Sequence, residues 1–394
     1  MSSTTSRVEE FVAAVAELGP VFEERAHIYD REASFPHENW ADLTRIGFLS
    51  LCIPERYGGL GGSFADYSLV AEEIGRHCGS TALTFNMHTA GCLLAGDLCD
   101  EFGLDDEQLA FLEPRRAAMF ADIVENGTIH SQPFSEGLSG RATGGISTVA
   151  EPVDGGFLVS GRKIFASLSD AAAIHDIVAL VPGDDRIRYM GVPAGSDGLT
   201  ITGEWDPLGM RGTVSKTLVF EEVFVPAENE WIPPGVFNLL STRYPFFYMT
   251  LSFAYLGLCR AVLDYTQSYL RGDIDGNSRA AHPQKQAAWA EMNITYRQAR
   301  ALCRSVVERA EVDPEPEVVH AGWASMVTTM EAAPDLASTA IRACGGRSIL
   351  RPQPLERLYR DARCGATMLP WSVEVCLSRL GQYGLADDDD RGYA

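Results

Sequence analysis

Few residues in this chain have types that could do chemistry, and they lie far apart. Near the C-terminal end the charged tetrapeptide RDAR (360–363) gives way to the uncharged stretch CGATMLPWSV, and Glu374 is the first carboxylate beyond it. Such a stretch is either a helix junction or a place where chemistry is expected. His88, in TFNMHTAG, sits in an apolar helical pattern, where a lone histidine is ordinarily a satisfied core residue. The nine cysteines (52, 78, 92, 99, 259, 303, 344, 364 and 376) are scattered, odd in number and never spaced as CxxC. That pattern gives no zinc site and points to a reducing compartment. Two segments combine hydroxyls, glycines and a cation: PFSEGLSGR (133–141) and LGMRGTVSKTLVFEEVFVP (208–226). Each, taken alone, also reads as turns and strands.

The chain that must position these groups has 394 residues, of which 46% are hydrophobic and 22% charged, enough to bury a sizeable core in two or three domains. A net charge of −22 argues against a nucleic-acid partner, which needs a basic stripe to displace counterions from phosphate. The opening MSSTTSRVEEFVAAVAELG carries acidic residues where a signal peptide would be apolar, and no run reaches ~18 uncharged apolar residues. The expectation is a soluble, cytoplasmic protein with no membrane segment and no metal.

Apolar residues at spacings of three and four predict helices over 8–29 and around Trp40, Leu43, Ile46 and Leu49. Ser63 reads as the N-cap of a helix running through Tyr67, Val70 and Ile74, and a further apolar helix runs from Ser80 toward Leu98. From about Glu125 the texture changes to short apolar runs split by Gly, Pro and Asp: GGFLVSGRKIF, HDIVALVPG, RYMGVPAG and KTLVFEEVFVP. Such runs predict an antiparallel β domain. After Pro233 and Pro234 the helical period returns in 246–270, 283–312, 320–343 and 371–380. The tail ADDDDRGYA is a charge run. The fold class expected is α+β: an N-terminal helical domain (1–122), a middle antiparallel β-barrel domain (123–233) and a C-terminal four-helix bundle (234–394).

Together with CIPERYGGLGG (52–62) and GGRSILRPQPLERLYRDAR (345–363), the two β-region segments resemble the acyl-CoA dehydrogenase superfamily, in order along essentially the whole chain. The resemblance implies FAD held between the three domains of a homotetramer or homodimer. It also implies an acyl-CoA or other acyl thioester as substrate, a place in fatty acid metabolism, and an electron-transfer flavoprotein as possible partner. The family's TEPxxGSD loop is similar to SEGLSGRA, which puts Ser135 on the threonine, Glu136 on the glutamate and Gly140 on the glycine, with Phe134 beside them. Hydroxyl and backbone donors there suit the flavin's pyrimidine edge, where electron density builds on reduction. The KxWxT strand is similar to Lys163, Phe165 and Ser167, giving an aromatic beside the isoalloxazine and a hydroxyl near N5. Gly345 and Gly346 match the turn where backbone without Cβ lets a neighbouring subunit's FAD approach.

Other positions depart from the family. Arg141 and Ala142 stand in place of the serine and aspartate of GSD, and Arg342 in place of the QxxGG glutamine. Arg141 then needs an anion: a substrate carboxylate or phosphate, or a partner carboxylate. The arginine that clamps the FAD pyrophosphate has no direct equivalent, and Arg271 or Arg279 takes its place. His88 is expected to border the acyl pocket, and Tyr248 flanks the second of the family's base positions. The family's usual glutamate falls on Leu369 and the second base position, ten residues before Gly257, on Phe247. Three readings follow: Glu374 substitutes as base, or the reaction is that of the flavin monooxygenases and N-hydroxylases of this fold, or the chain is the base-less subunit of a heteromeric dehydrogenase. The first choice is oxidation of an acyl thioester to its α,β-unsaturated form by a variant site.

Overall fold

A computed structural model describes residues 2–137 and 145–385, with side chains from residue 7 onward. The N-terminal part is helical: α1 (Ser2–Glu32), α2 (His37–Arg45), α3 (Phe64–His77), α4 (Gly79–Leu93), the short α5 (Cys99–Glu101) and α6 (Asp106–Asn126). Ser63 does cap α3. Its hydroxyl accepts the Asp66 amide at 3.2 Å while the Asp66 carboxylate accepts the Ser63 amide at 2.9 Å, a reciprocal capping box. Asp105 and Gln108 repeat the device at α6, and Gly127, at φ 68, ends that helix in the left-handed conformation. A boundary at 122 would cut α6 four residues short, so we place it after Asn126.

Among the described residues seven strands follow: β1 (His130–Ser131), β2 (Val149–Val153), β3 (Gly156–Ala166), β4 (Ile174–Ala179), β5 (Arg188–Pro193), β6 (Leu199–Thr202) and β7 (Lys216–Pro226). They form a three-stranded sheet, β1-β4-β5, and a four-stranded sheet, β2-β3-β7-β6. Alternate residues of both, among them Val159, Ile177, Met190, Leu218 and Val223, share one buried core. The pairings are antiparallel as expected, except that β1 runs parallel to β4, with His130 opposite Ile174. Only two residues long, β1 carries no alternation that a sequence reading could detect.

The C-terminal part holds α7 (Leu239–Arg243), α8 (Ser252–Arg271), α9 (Pro283–Val307), α10 (Pro316–Cys344), α11 (Pro354–Cys364) and α12 (Val373–Leu385). Proline at the first turn of α9, α10 and α11 costs no hydrogen bond there and presets φ. RDAR therefore lies inside a helix, α11, and the helical period predicted from 371 begins at Val373. The stretch Pro245–Arg271 is apolar enough to span a membrane by length and composition, yet 83% of its window is buried inside the protein. Its α8 portion packs on α3, α9, α10 and α11. Two glycines set the α3–α8 crossing: a Cβ on Gly257 would stand 2.3 Å from the Glu72 carbonyl oxygen, and one on Gly75 2.5 Å from that of Ala254.

Candidate functional site

The site is built around the end of β3. Between Lys163 and Ala166 the β3–β7 register slips, a bulge that re-aims the strand. Within it Phe165 takes φ 51 and stands 68% exposed, its ring edge-on to Trp205 at 6.4 Å. A large aromatic held in solvent at a positive φ is strained packing, and such strain persists where surrounding structure imposes it. Leu168, Met210 and Val214 also have positive φ, so four of the seven such non-glycine residues among those described cluster around this strand end.

Three hydroxyls lie in a row beside Phe165. Ser167 Oγ is 2.9 Å from Ser215 Oγ, which is 2.7 Å from Thr213 Oγ1. The row is fixed by backbone bonds from Leu168 to the Thr213 carbonyl (3.1 Å) and from Ser169 to that of Val214 (3.3 Å).

The loop 133–137 reaches the same strand. The Ser135 carbonyl accepts the Ile164 amide at 2.7 Å, which sets Ser135 one residue from Phe165 in the ladder. Phe134 is half-buried against Phe237 (5.3 Å) and Tyr189 (6.3 Å). Glu136 anchors the loop. Its buried carboxylate accepts the Ser147 amide (2.5 Å) and hydroxyl (2.6 Å) and the Thr148 amide (3.1 Å) and hydroxyl (2.7 Å), and it pairs with buried Lys163. Burial works to raise the Glu136 carboxyl, and Lys163 with the hydroxyl donors outweighs it and holds it below the usual range. Lys163 also donates to the Val178 carbonyl at 2.7 Å. This ion pair was not singled out as a unit from the sequence, although the family pattern places both residues. Gly140 and Arg141 lie outside the described residues.

RDAR closes the site from the C-terminal side. Asp361, buried, accepts the Met210 amide at 2.6 Å, and Arg360 reaches Asp30 on α1 (2.6 and 2.8 Å) and the Leu208 carbonyl (3.0 Å). Arg211 is consumed likewise, by the Asp30 carbonyl (2.7 Å) and Asp206 (2.5 Å), so it is a brace rather than a ligand.

Several expected site residues sit elsewhere. His88 is buried in the N-terminal core, where Nε2 donates to the Leu49 carbonyl (2.9 Å) and Nδ1 accepts the His130 amide (3.1 Å). Burial lowers its pKa to about 3, and neither ring nitrogen is left for a substrate. Glu374 is exposed in the first turn of α12. Leu369, which the resemblance sets at the family's base position, is 58% exposed, and Phe247, which it sets at the second, is buried. Tyr248 packs on Phe247 (5.8 Å) and Trp371 (6.1 Å), and burial pushes its phenol up to about 12, so it keeps its proton.

Arg279 folds back on Asp275 (2.6 and 3.0 Å) and on the Tyr269 and Asn277 carbonyls, which leaves Arg271, exposed at the end of α8, as the arginine open to an anion. Gly345 takes φ 87, and a Cβ on Gly345 or Gly346 would meet nothing within 4 Å, so this chain alone does not require a glycine at 346.

The donor set fits a flavin. An exposed aromatic face, a row of hydroxyls and a loop fixed to the same strand suit a planar ring system with acceptors along one edge. Four carboxylates near this strand end are committed: Asp170 to Lys216 (2.7 Å), Asp206 to Arg211, Asp361 to Met210 and Glu136 to Lys163, whereas Glu204, next to Trp205, is exposed to solvent. The sequence 138–144, LSGRATG, adds none.

Two family models match the chain: the acyl-CoA dehydrogenase N-terminal domain over residues 5–114 and the acyl-CoA dehydrogenase C-terminal domain over 247–369. A putative acyl-CoA dehydrogenase of Bacillus subtilis is 26% identical over 369 residues, covering 90% of this chain and 92% of that protein. The mitochondrial short-chain specific acyl-CoA dehydrogenase of Homo sapiens is 26% identical over 341 residues, covering 85% and 79%. Among solved structures, FMN-bound TdsC from Paenibacillus sp. A11-2 superimposes with a TM-score of 0.82 at 22% identity, covering 95% of this chain and 97% of that one. A nitrososynthase from Micromonospora carbonacea var. africana does so with a TM-score of 0.82 at 21% identity, covering 97% of each. At these identities the structural likeness is one of fold.

Proposed function

The chain belongs to the acyl-CoA dehydrogenase superfamily as an acyl-CoA dehydrogenase-like flavin oxidoreductase, and from that premise we propose that it uses FAD to oxygenate a small organic substrate with O₂. The observation that carries this reading is that, among the described residues, the carboxylates of Glu136, Asp170, Asp206 and Asp361 at the strand end are bound in ion pairs and backbone hydrogen bonds, and counting along the family pattern puts Leu369 and Phe247 on its two base positions. Removing an α-proton from a thioester needs a free base, whereas oxygen transfer does not.

Reduced flavin, when bound, supplies the two electrons by which one oxygen atom enters the substrate and the other leaves as water. The protein's part is to hold and shield. Ser135 and Ser167 would orient the polar edge of the ring, Phe165 would lie against it, and Arg271 with the backbone at Gly345 would receive the phosphates and a neighbouring subunit. Counting along the family pattern puts Leu369 and Phe247 where a base would stand, and neither side chain can accept a proton.

The second reading is oxidation of an acyl thioester, with electrons leaving to an electron-transfer flavoprotein. The names of the curated relatives favour it. A homodimer or homotetramer and a cytoplasmic location accompany either reading, the latter supported by nine free thiols.

An anaerobic titration of the flavin-loaded protein with short-, medium- and long-chain acyl-CoAs separates the two. The expected result is no bleaching by any of them, together with O₂ consumption when a flavin reductase and NADH are supplied. Bleaching by one acyl-CoA would overturn the oxygenase reading.

A further inference from the structure

Between α6, the β1–β4 edge and the segment 228–231 lies a cavity of about 330 Å³ that the flavin site does not use. His130 lines it and is only 1% exposed. Its Nδ1 is 2.9 Å from Asp176 Oδ2, and Asp176, fully buried, also accepts the Trp231 indole N–H at 2.7 Å. The carboxylate engages Nδ1, so in the neutral ring the proton sits on that nitrogen and Nε2 carries the lone pair. Among the described residues Nε2 has no protein hydrogen bond. The same Asp176 contact fixes the Trp231 indole, which packs directly on Gly191, where a Cβ would come within 2.5 Å of the ring.

Three charged groups share the lining: the Asp122 and Glu228 carboxylates and the Arg115 guanidinium. Burial acts to raise the Asp122 carboxyl, and hydrogen bonds from Thr128 and Asn126 outweigh it and hold it below its ordinary value. Arg115 is turned toward its own surroundings. It donates to the Phe111 carbonyl (2.9 Å) and the Ala227 carbonyl (3.4 Å) and lies over the Phe111 ring at 3.7 Å. Two negative charges against one positive leave the lining at −1, with an imidazole lone pair added. Apart from the Arg115 Nε, which has no partner among the described residues, and the Asn229 amide, the polar groups that face the cavity are acceptors and an indole.

We propose that this cavity binds a small organic ammonium monocation, its N–H groups donating to His130 Nε2, Asp122 and Glu228 and its carbon skeleton lying against Trp231 and Met119. Anions are repelled by the two carboxylates. A bare metal ion is disfavoured, since no group of three His, Cys, Asp or Glu side chains among the described residues has the spacing to hold one. An indole beside carboxylates is the environment that organic cations select, through cation–π attraction and charge-assisted hydrogen bonds.

The test is calorimetric titration of the flavin-loaded full chain with benzylammonium, and with benzyl alcohol and benzoate as the neutral and anionic analogues. Saturable binding of benzylammonium is expected, at least about tenfold tighter than benzyl alcohol, with Asp122→Asn and Glu228→Gln each weakening it about fivefold. Glu228 is exposed, so its variant keeps the test valid where Asp122→Asn fails to fold. The proposal is overturned if benzyl alcohol or benzoate binds as tightly, or if the folded variants keep full affinity. Absence of saturable binding by benzylammonium, phenethylammonium and propylammonium would overturn it equally.

Discussion

Asp361 and Met210, 151 residues apart in sequence, are joined by one short bond: the Asp361 carboxylate accepts the Met210 amide at 2.6 Å. The bond holds Met210 at φ 53, and the turn it fixes runs straight into Thr213 and Ser215 of the hydroxyl row. Arg360 grips Leu208 and Asp30 on the same side, and Gly209 lies so close to α11 that a Cβ would stand 2.4 Å from the Arg360 carbonyl. RDAR thus clamps α1, the 208–210 turn and α11 together. Asp361→Asn keeps the shape but replaces a charged acceptor and buries an extra N–H₂ group. Denaturant unfolding should show a loss of about 1–3 kcal/mol, and flavin content should fall with it. Arg363→Ala, removing only a 3.4 Å surface contact to Glu331, should change neither. Unaltered flavin content and stability in Asp361→Asn would refute the clamp.

Gly257→Ala tests the packing beneath the site. Its new methyl would stand 2.3 Å from the Glu72 carbonyl oxygen and 2.5 Å from the Arg76 amide, both of them backbone atoms that cannot rotate away. α3 and α8 must separate, which costs about 1–3 kcal/mol as an overpacked core does. Gly322→Ala on α10 is the control, because its Cβ meets the Trp371 ring at 3.5 Å and the Phe246 ring at 3.7 Å, both ordinary contacts. Equal melting temperatures for the two variants would count against the crossing as described.

What the sequence made legible was whatever depends on near neighbours. The capping box at Ser63 and Asp66 spans three residues, and four of the seven strands carry apolar runs long enough to read. The clamp was visible only as a landmark, because Arg360 finds Asp30 330 residues away and nothing local encodes that pairing. His88 shows the same limit, since its partners are a carbonyl at residue 49 and an amide at residue 130. The parallel β1 escaped notice because two residues make no pattern. Leu369 and Phe247 could be placed by counting, yet the commitment of the surrounding carboxylates appears only once the chain is folded.

Acid should destabilise the protein in a definite window. Burial lowers His88 to about 3 and His175 to about 4, against an unfolded value near 6.5. Below that value the unfolded chain binds protons that the folded one refuses, so the stabilisation is complete above about pH 6.5 and is lost as pH falls toward the folded values. Each histidine contributes a slope of up to about 1.4 kcal/mol per pH unit. Urea midpoints measured between pH 4 and 7 should drop steeply, and His88→Asn should shed one proton's worth of slope. An unchanged slope in that variant would mean His88 is not the buried neutral group described.

Leu369→Glu asks whether a carboxylate at this position brings in the thioester oxidation that the second reading holds. The side chain is 58% exposed, so a carboxylate there avoids most of the desolvation that would penalise it in a core. The variant should fold as the parent does and load flavin equally. If the flavin and substrate positions are otherwise those of the family, it should gain slow anaerobic bleaching by an acyl-CoA, at least about 10² above the parent rate. Glu374→Gln should leave every flavin reaction as it was, because that carboxylate faces solvent in the first turn of α12. Loss of activity in Glu374→Gln would instead place that residue at the site and revive acyl thioester oxidation as the parent's own chemistry. Failure of Leu369→Glu to bleach, despite full flavin occupancy, would show that a carboxylate at this position does not restore the reaction.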